Sequence, residues 1–220
     1  MINNILSDTI VAISTPKGVG GIAVIRISGS EAISIVNSSW KGVNLENAES
    51  HTAHLGYILD SGNQVIDQVV ATIYKAPKSF TGENVVEIAC HGSSWIQKEL
   101  INEFARRGTR PATRGEFSQR AFINGKMDLA EIEAVADLIA SSSRAAHKIA
   151  ISQMRGDFSN KLSELRQQLL NFVSLIELEL DFSEEEVEFA DRQQLTNLAN
   201  DVRTIVNNLA NSFSIGSSIK

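Results

Sequence analysis

Arg26 and Glu87 are charges set into apolar, β-branched runs, Val24-Ile25-Arg26-Ile27 and Val85-Val86-Glu87-Ile88. A charge buried alone in a sheet is costly, so each must reach water, pair, or face a ligand. An arginine in such a strand either snorkels to water from an edge or holds a planar anion or a carboxylate with its fork of donors. If the two strands are neighbours, Arg26 and Glu87 are obvious partners. Lys126 follows a glycine after a short helical stretch, so its ammonium could reach back over the segment before it; an ordinary surface lysine is the alternative.

Other stretches invite chemistry and support it less. Pro16-Lys17-Gly18-Val19-Gly20-Gly21 follows the β-rich run Thr9–Ile13, as a phosphate-cradling loop would. Such a loop needs a helix after it, whose unpaired N–H groups meet the phosphate. Here Ile22–Ser28 is β-branched and reads as a second strand, which leaves a tight glycine connection between strands. Cys90-His91 could suggest a nucleophile with its base, but neighbours in a strand point to opposite faces, which favours a buried structural cysteine. His91, before Gly92, could line a strand-to-helix junction. His51 and His54 lack companions for a zinc set, and the acidic run from Glu177 through Glu184 and Glu188 to Asp191 lacks the glycine pivot of a calcium loop. No metal site and no catalytic residue is expected.

The elements that must position these residues fall into two groups. The chain has 220 residues, 43% of them hydrophobic, a net charge of −6 and one cysteine. That is a globular composition without disulfides, unsuited to gripping nucleic acid mainly through phosphates. No apolar stretch has the length of a membrane span, and a cytoplasmic location is the default.

Before a compositional shift near residue 115, strands are expected at Thr9–Ile13, Ile22–Ser28, Ala53–Leu59, Gln68–Tyr74 and Val85–Ala89, with a turn at Asp60–Asn63. Helices are expected at Ser30–Trp40 and Trp95–Arg107, the second capped by Ser93 or Ser94 and stopped by Gly108. Beyond the shift the periodicity is helical. Leu129, Ile132, Val135 and Ile139 form one stripe after a capping-box start at Asp128; Leu162, Leu165, Leu169, Phe172 and Ile176 form a second; Leu195, Leu198, Val202, Ile205 and Leu209 form a third. These seams need partner helices that the chain does not supply in number, so a second copy or further chain would complete the bundle. The fold class is α+β: an α/β domain over residues 1–124, then a partial all-α bundle over 125–220.

Taken together the motifs resemble those of the tRNA-modifying GTPases of the TrmE or MnmE family. They are Asp8-Thr9-Ile10-Val11-Ala12, Gly20–Gly29, Ser79-Phe80-Thr81-Gly82-Glu83 with Glu87, His91-Gly92, Gly115-Glu116-Phe117-Ser118, Arg120-Ala121-Phe122, Lys126 with Asp128-Leu129, Glu133-Ala134, Ala136–Ile139, and Asp181-Phe182 before Glu184-Glu185-Glu186. They run collinearly along nearly the whole chain. The resemblance implies a first domain similar to the tetrahydrofolate-binding domain of aminomethyltransferases, which forms a homodimer, followed by a helical domain into which a GTPase domain is inserted. It further implies a complex with an FAD-dependent partner of the GidA or MnmG family, as a heterotetramer. That complex adds an aminomethyl or carboxymethylaminomethyl group to carbon 5 of the tRNA wobble uridine, with 5-formyl- or 5,10-methylene-tetrahydrofolate giving the one-carbon unit.

By position the family's folate contacts fall on Arg26, Glu87 and Lys126. Glu87 would accept from a pterin ring N–H and its adjacent amino group, while Arg26 and Lys126 would meet carbonyl or carboxylate oxygens. The glycines before Ile22 would then shape a close backbone approach at a folate pocket and dimer contact.

The departures matter as well. The GTPase domain, with its GTP, Mg2+ and K+, would begin just after Lys220, and the family's terminal Cys-Ile-Gly-Lys is only faintly echoed by Ser214–Lys220. Ser93 stands where the family has a second glycine. These features lead to the expectation of a fragment that does not hydrolyse GTP and binds folate weakly if missing helices close the site. A non-catalytic dimerisation or docking scaffold without folate binding is the competing expectation.

Overall fold

A computed structural model describes residues 8–181, 193, 196–205 and 207. It divides the chain into two compact units, Met1–Asp128 and Leu129–Lys220.

The first unit contains a seven-stranded mixed sheet. Its strands are β1 (Thr9–Ile13), β2 (Gly20–Ser28), β3 (Trp40–Lys41), β4 (Thr52–Leu59), β5 (Val65–Tyr74), β6 (Val85–Gly92) and β7 (Thr109–Pro111), in the spatial order β3-β4-β5-β6-β2-β1-β7. All neighbours are antiparallel except β1 and β7. Helices α1 (Ala32–Ser38), α2 (Ser94–Arg106) and α3 (Glu116–Ile123) complete the unit, so the α+β class read from the sequence is the one observed.

Strand alternation divides the sheet into two faces. One presents Ile25, Ile27, Val69, Ala71, Ile73, Val86 and Ile88 to a core closed by Ile33 and Val36 of α1 and by Leu100 and Phe104 of α2. The other carries the alternate residues, Arg26, Tyr74 and Glu87 among them.

Local chemistry sets the boundaries. Asp60 Oδ1 accepts from the amides of Gly62 and Gln64, both at 2.8 Å, and closes the β4–β5 turn. The fully buried Glu103 of α2 reaches the same turn through Ser61 and is held by Arg107 Nε at 2.8 Å. Two details differ from the sequence reading. Ser93 occupies the N-cap of α2 without a side-chain capping bond. Trp40 leaves α1 for β3, where it pairs with Ile58 and its indole donates to the carbonyl of Val43.

The glycine stretch serves backbone approach. Gly20 pairs with Gly92 beside a bulge in the β2–β6 ladder, and a Cβ on Gly92 would lie 2.4 Å from the carbonyl oxygen of Gly20. That separation is impossible without moving a strand.

The second unit holds α4 (Leu129–Ala140), α5 (Arg144–Met154) and α6 (Asp157–Asp181), and residues 196–205 are helical. Ser143 caps α5, its hydroxyl accepting from the amide of Ala146. The expected stripe of α4 is not the buried one: Leu129 is 60% and Ile139 82% exposed, while Ala134 is fully buried. α4 neighbours α5, where Ala150 is the buried residue, so small side chains are the most deeply buried, with Ile132 and Val135 half-buried. On α6, Phe172 is buried but Leu162, Leu169 and Ile176 are exposed. Leu195, Leu209, the acidic residues from Glu184 to Asp191 and the Ser214–Lys220 ending lie outside the described residues. No helix among the described residues is long and apolar enough to cross a membrane.

Gly92→Ala should lower stability by about 1–3 kcal/mol, the usual cost of forcing an extra carbon into a packed site. Chemical denaturation of both chains checks this; an unchanged midpoint would contradict the tight Gly20–Gly92 approach.

Candidate functional site

Register brings the two out-of-place charges together. Arg26 on β2 stands directly opposite Glu87 on β6. Arg26 Nη2 lies 2.7 Å and Nε 2.8 Å from the same oxygen, Glu87 Oε1. Both side chains keep about a quarter of their surface, at 24% and 25%. The pair is therefore neither an edge arginine nor a sealed core ion pair.

Aromatic rings from separate segments surround it. The guanidinium carbon of Arg26 is 5.1 Å from the ring centroid of Phe80 and 5.6 Å from that of Phe117, within cation–π range. Phe80 comes from the loop before β6, and Phe117 from the first turn of α3. Tyr74 ends β5 beside Glu87; burial first, then the carboxylate's charge, pushes the Tyr74 phenol above its usual range.

An open cleft of about 470 Å3 adjoins this cluster, lined by His51, Tyr74, Lys78, Ser79, Phe80 and Lys126. Tyr74 and Phe80 thus belong both to the cleft and to the surroundings of the ion pair. Lys126 reaches the cleft over Gly82, whose φ of +80° suits glycine and where a Cβ would meet Lys126 Cγ at 3.1 Å. The segment is clamped there by Asn124, whose amide donates to the carbonyl of Thr81 at 2.7 Å. His51 adopts φ 65°, and its ring meets Tyr74 edge-on at 5.3 Å.

Behind the site lies a charge network that the sequence reading assigned no role. Arg120 of α3, 1% exposed, contacts Asp8 Oδ1 at 2.6 Å, the Asp8 carbonyl at 2.8 Å, Glu83 Oε1 at 3.1 Å and Glu116 Oε1 at 3.3 Å. Arg110 joins Asp8 at 2.7 Å and Glu116 at 2.6 Å. Ser28 donates to Glu83, and Thr113 donates to Glu116 through both its amide and its hydroxyl. Burial pushes the Asp8 carboxyl up, yet Arg110 and Arg120 together hold it below its usual range. Arg110 above all brings Glu116 down to about 2. The density of charge around residues 110–120 was the available signal; its convergence on residues a hundred positions away was not.

His91 and Cys90 point to opposite faces, as strand geometry requires. The Cys90 thiol is buried, and burial, aided by the charge of Asp67, raises it to about 11. His91 is exposed and bonded to Asp67 through its ring Nδ1 at 2.7 Å and its amide at 2.8 Å. It does not line the cleft.

Sequence comparison addresses the same residues as a set. A family model described as the GTP-binding protein TrmE N-terminus matches residues 9–126, and one for the MnmE helical domain matches 129–220. The chain belongs to the TrmE/MnmE family. Among similar proteins, the tRNA modification GTPase MnmE of Flavobacterium johnsoniae is 53% identical over 216 residues, 97% of this chain and 46% of that protein. Those of Flavobacterium psychrophilum and Cytophaga hutchinsonii are 54% and 52% identical, over 98% and 97% of this chain and 47% and 46% of their own lengths. The chain thus spans less than half the length of these relatives. The TrmE-type match encloses Arg26, Phe80, Glu87, Phe117, Arg120 and Lys126, hence the site and, Asp8 apart, the network behind it.

Two outcomes follow from the electrostatics. Glu116 stays ionised in the folded chain down to about pH 2, whereas unfolded it takes up its proton near 4.5. Its stabilisation, on the order of 3 kcal/mol, is complete above pH 4.5 and lost as pH falls towards 2. Thermal melts should therefore drop less steeply between these limits for Glu116→Gln than for the unaltered chain, and parallel slopes would refute the assignment. Cys90 should react with iodoacetamide at pH 8 about a hundredfold more slowly in the folded than in the unfolded chain, since only the thiolate attacks; equal rates would place the thiol at the surface.

Proposed function

We propose that this chain is the folate-binding and dimerising part of a cytoplasmic tRNA modification GTPase. In this reading a homodimer works with an FAD-dependent partner of the GidA or MnmG family to place an aminomethyl or carboxymethylaminomethyl group on carbon 5 of the wobble uridine. The observation that carries the reading is the quarter-exposed Arg26–Glu87 pair, set among Tyr74, Phe80 and Phe117 beside the Lys126 cleft, in a chain matched along nearly its whole length by TrmE- and MnmE-type models.

The residues suit a planar heteroaromatic ligand with an anionic end. Both arginine contacts fall on Glu87 Oε1; Oε2 takes neither, and a carboxylate so oriented can accept from a pterin N–H or amino group. The aromatic rings offer faces and edges to a flat ring system, and Lys126 offers an ammonium to a carbonyl or carboxylate. A tetrahydrofolate bound here supplies a one-carbon unit. The side chains of this site bind and orient; none is placed as an acid, base or nucleophile. Val19 at 84%, Ile22 at 70% and Leu55 at 66% exposure give apolar surface that a second copy would cover.

Calorimetric titration of the chain with 5-formyltetrahydrofolate, with oligomeric state measured in the same samples, tests the proposal. Binding to a wild-type dimer that falls at least about tenfold in Glu87→Gln and Arg26→Ala is expected, because each change removes a charge-assisted contact. A folded wild-type chain that takes up no folate would leave the docking-scaffold reading in its place.

A further inference from the structure

The cleft beside the ion pair has a one-sided chemistry that binding of the ring system does not account for. Its ionisable lining consists of His51, Tyr74, Lys78 and Lys126, and among the described residues no carboxylate lines it. Among the described residues neither Lys78 nor Lys126 forms an ion pair. Lys75, next to Tyr74, also lacks a carboxylate partner and donates to the carbonyl of Glu46. In a chain of net charge −6, such a local excess of unneutralised ammonium groups would repel cations and draw an anion in.

Direction comes from the sheet. Glu87 lies opposite Thr72, and Tyr74, two residues further along β5, lies opposite Val85. Tyr74 therefore leads from the Glu87 row to the cleft wall, and Phe80 links Arg26 to the same wall. A ligand whose head meets Glu87 has this lysine-lined opening as its way out. The cleft is open rather than enclosed, so a long tail can run through it to solvent.

We infer that the cleft is a subsite for an oligo-γ-glutamyl tail, with Lys78 and Lys126 pairing with its carboxylates, and that the chain selects folates by glutamate number. The inference rests on the folate reading above and adds to it the tail's position and a length preference. Lys78 becomes a specificity residue outside the ring-binding cluster. It sits on an exposed loop after β5, so its replacement leaves the sheet and the ion pair untouched.

The test is titration of the 220-residue chain with 5-formyltetrahydrofolate carrying one or five γ-linked glutamates, at low and moderate salt, for wild type, Lys78→Ala and Glu87→Gln. The five-glutamate form should bind wild type about tenfold more tightly, the gain available from a pair of partly exposed ammonium–carboxylate contacts. That advantage should shrink with salt, as screening of such pairs requires, and largely disappear in Lys78→Ala, whose affinity for the one-glutamate form falls by much less than its affinity for the five-glutamate form. Equal affinities of the two forms for wild type, or an advantage that survives in Lys78→Ala, would overturn the subsite. If the one-glutamate form binds and Glu87→Gln abolishes it while tail length has no effect, the folate reading stands and the tail site falls. If neither form binds, both fall.

Discussion

A guanidinium can be buried only where acceptors surround it, and Arg120 gathers its acceptors from two distant parts of the chain, Asp8 before β1 and Glu83 before β6, and from Glu116 one turn earlier in α3. Arg110 ties two of the same carboxylates from β7. Two cations thus serve three anions, and removing Arg120 would strand Glu83 and Glu116, 12% and 8% exposed, with little water to replace it. The consequence for the site is geometric. The helix that carries Arg120 also carries Phe117 to Arg26, and its end delivers Asn124 and Lys126 onto the Thr81–Gly82 turn. Glu83, in the loop that holds Phe80, is fixed by the same guanidinium. The network therefore locates the loop and helix that flank the ion pair without touching the ion pair itself.

How much of this was legible in the sequence depended on whether the signal was local. Arg26 and Glu87 stand out because a charge inside a β-branched run is anomalous wherever the strand lies, and their pairing follows once β2 and β6 are neighbours. Lys126 was weaker, since a lysine after a glycine is common and only the packing over Gly82 gives it a direction. Tyr74, Phe80 and Phe117 were not legible as a group: each is an unexceptional aromatic in its own segment, and only tertiary folding makes them one cluster. The same holds for Asp8 and Arg120, 112 positions apart.

The helical unit shows a different limit. Period 3.6 identifies which residues share a helix face, and α4 and α6 are helices as the spacing requires. Periodicity does not say which face is used. In α4 the ends of the branched stripe, Leu129 and Ile139, are exposed, Ile132 and Val135 are half-buried, and Ala134 is the fully buried residue, as a short side chain suits a close approach of neighbouring backbones. Residues on α4 and α6 remain exposed among the described residues, and periodicity alone cannot name what would cover them.

The ion pair's partial exposure bears directly on the proposed function. A fully buried pair would cost several kcal/mol in desolvation, and a fully exposed one would contribute little order. At a quarter exposure Arg26 and Glu87 satisfy each other before any ligand arrives, so neither stands as an unpaired charge in the unliganded fold. Covering them with a flat ring would remove the remaining water and strengthen every hydrogen bond made there, because a lower local dielectric favours contacts already well aligned. Arg26 fixes Glu87 by binding one oxygen twice, which reduces the side-chain ordering that a ligand must bring about. In the folate reading the pair serves as a preorganised acceptor more than as a stabilising salt bridge, and its free energy would be realised on binding rather than on folding.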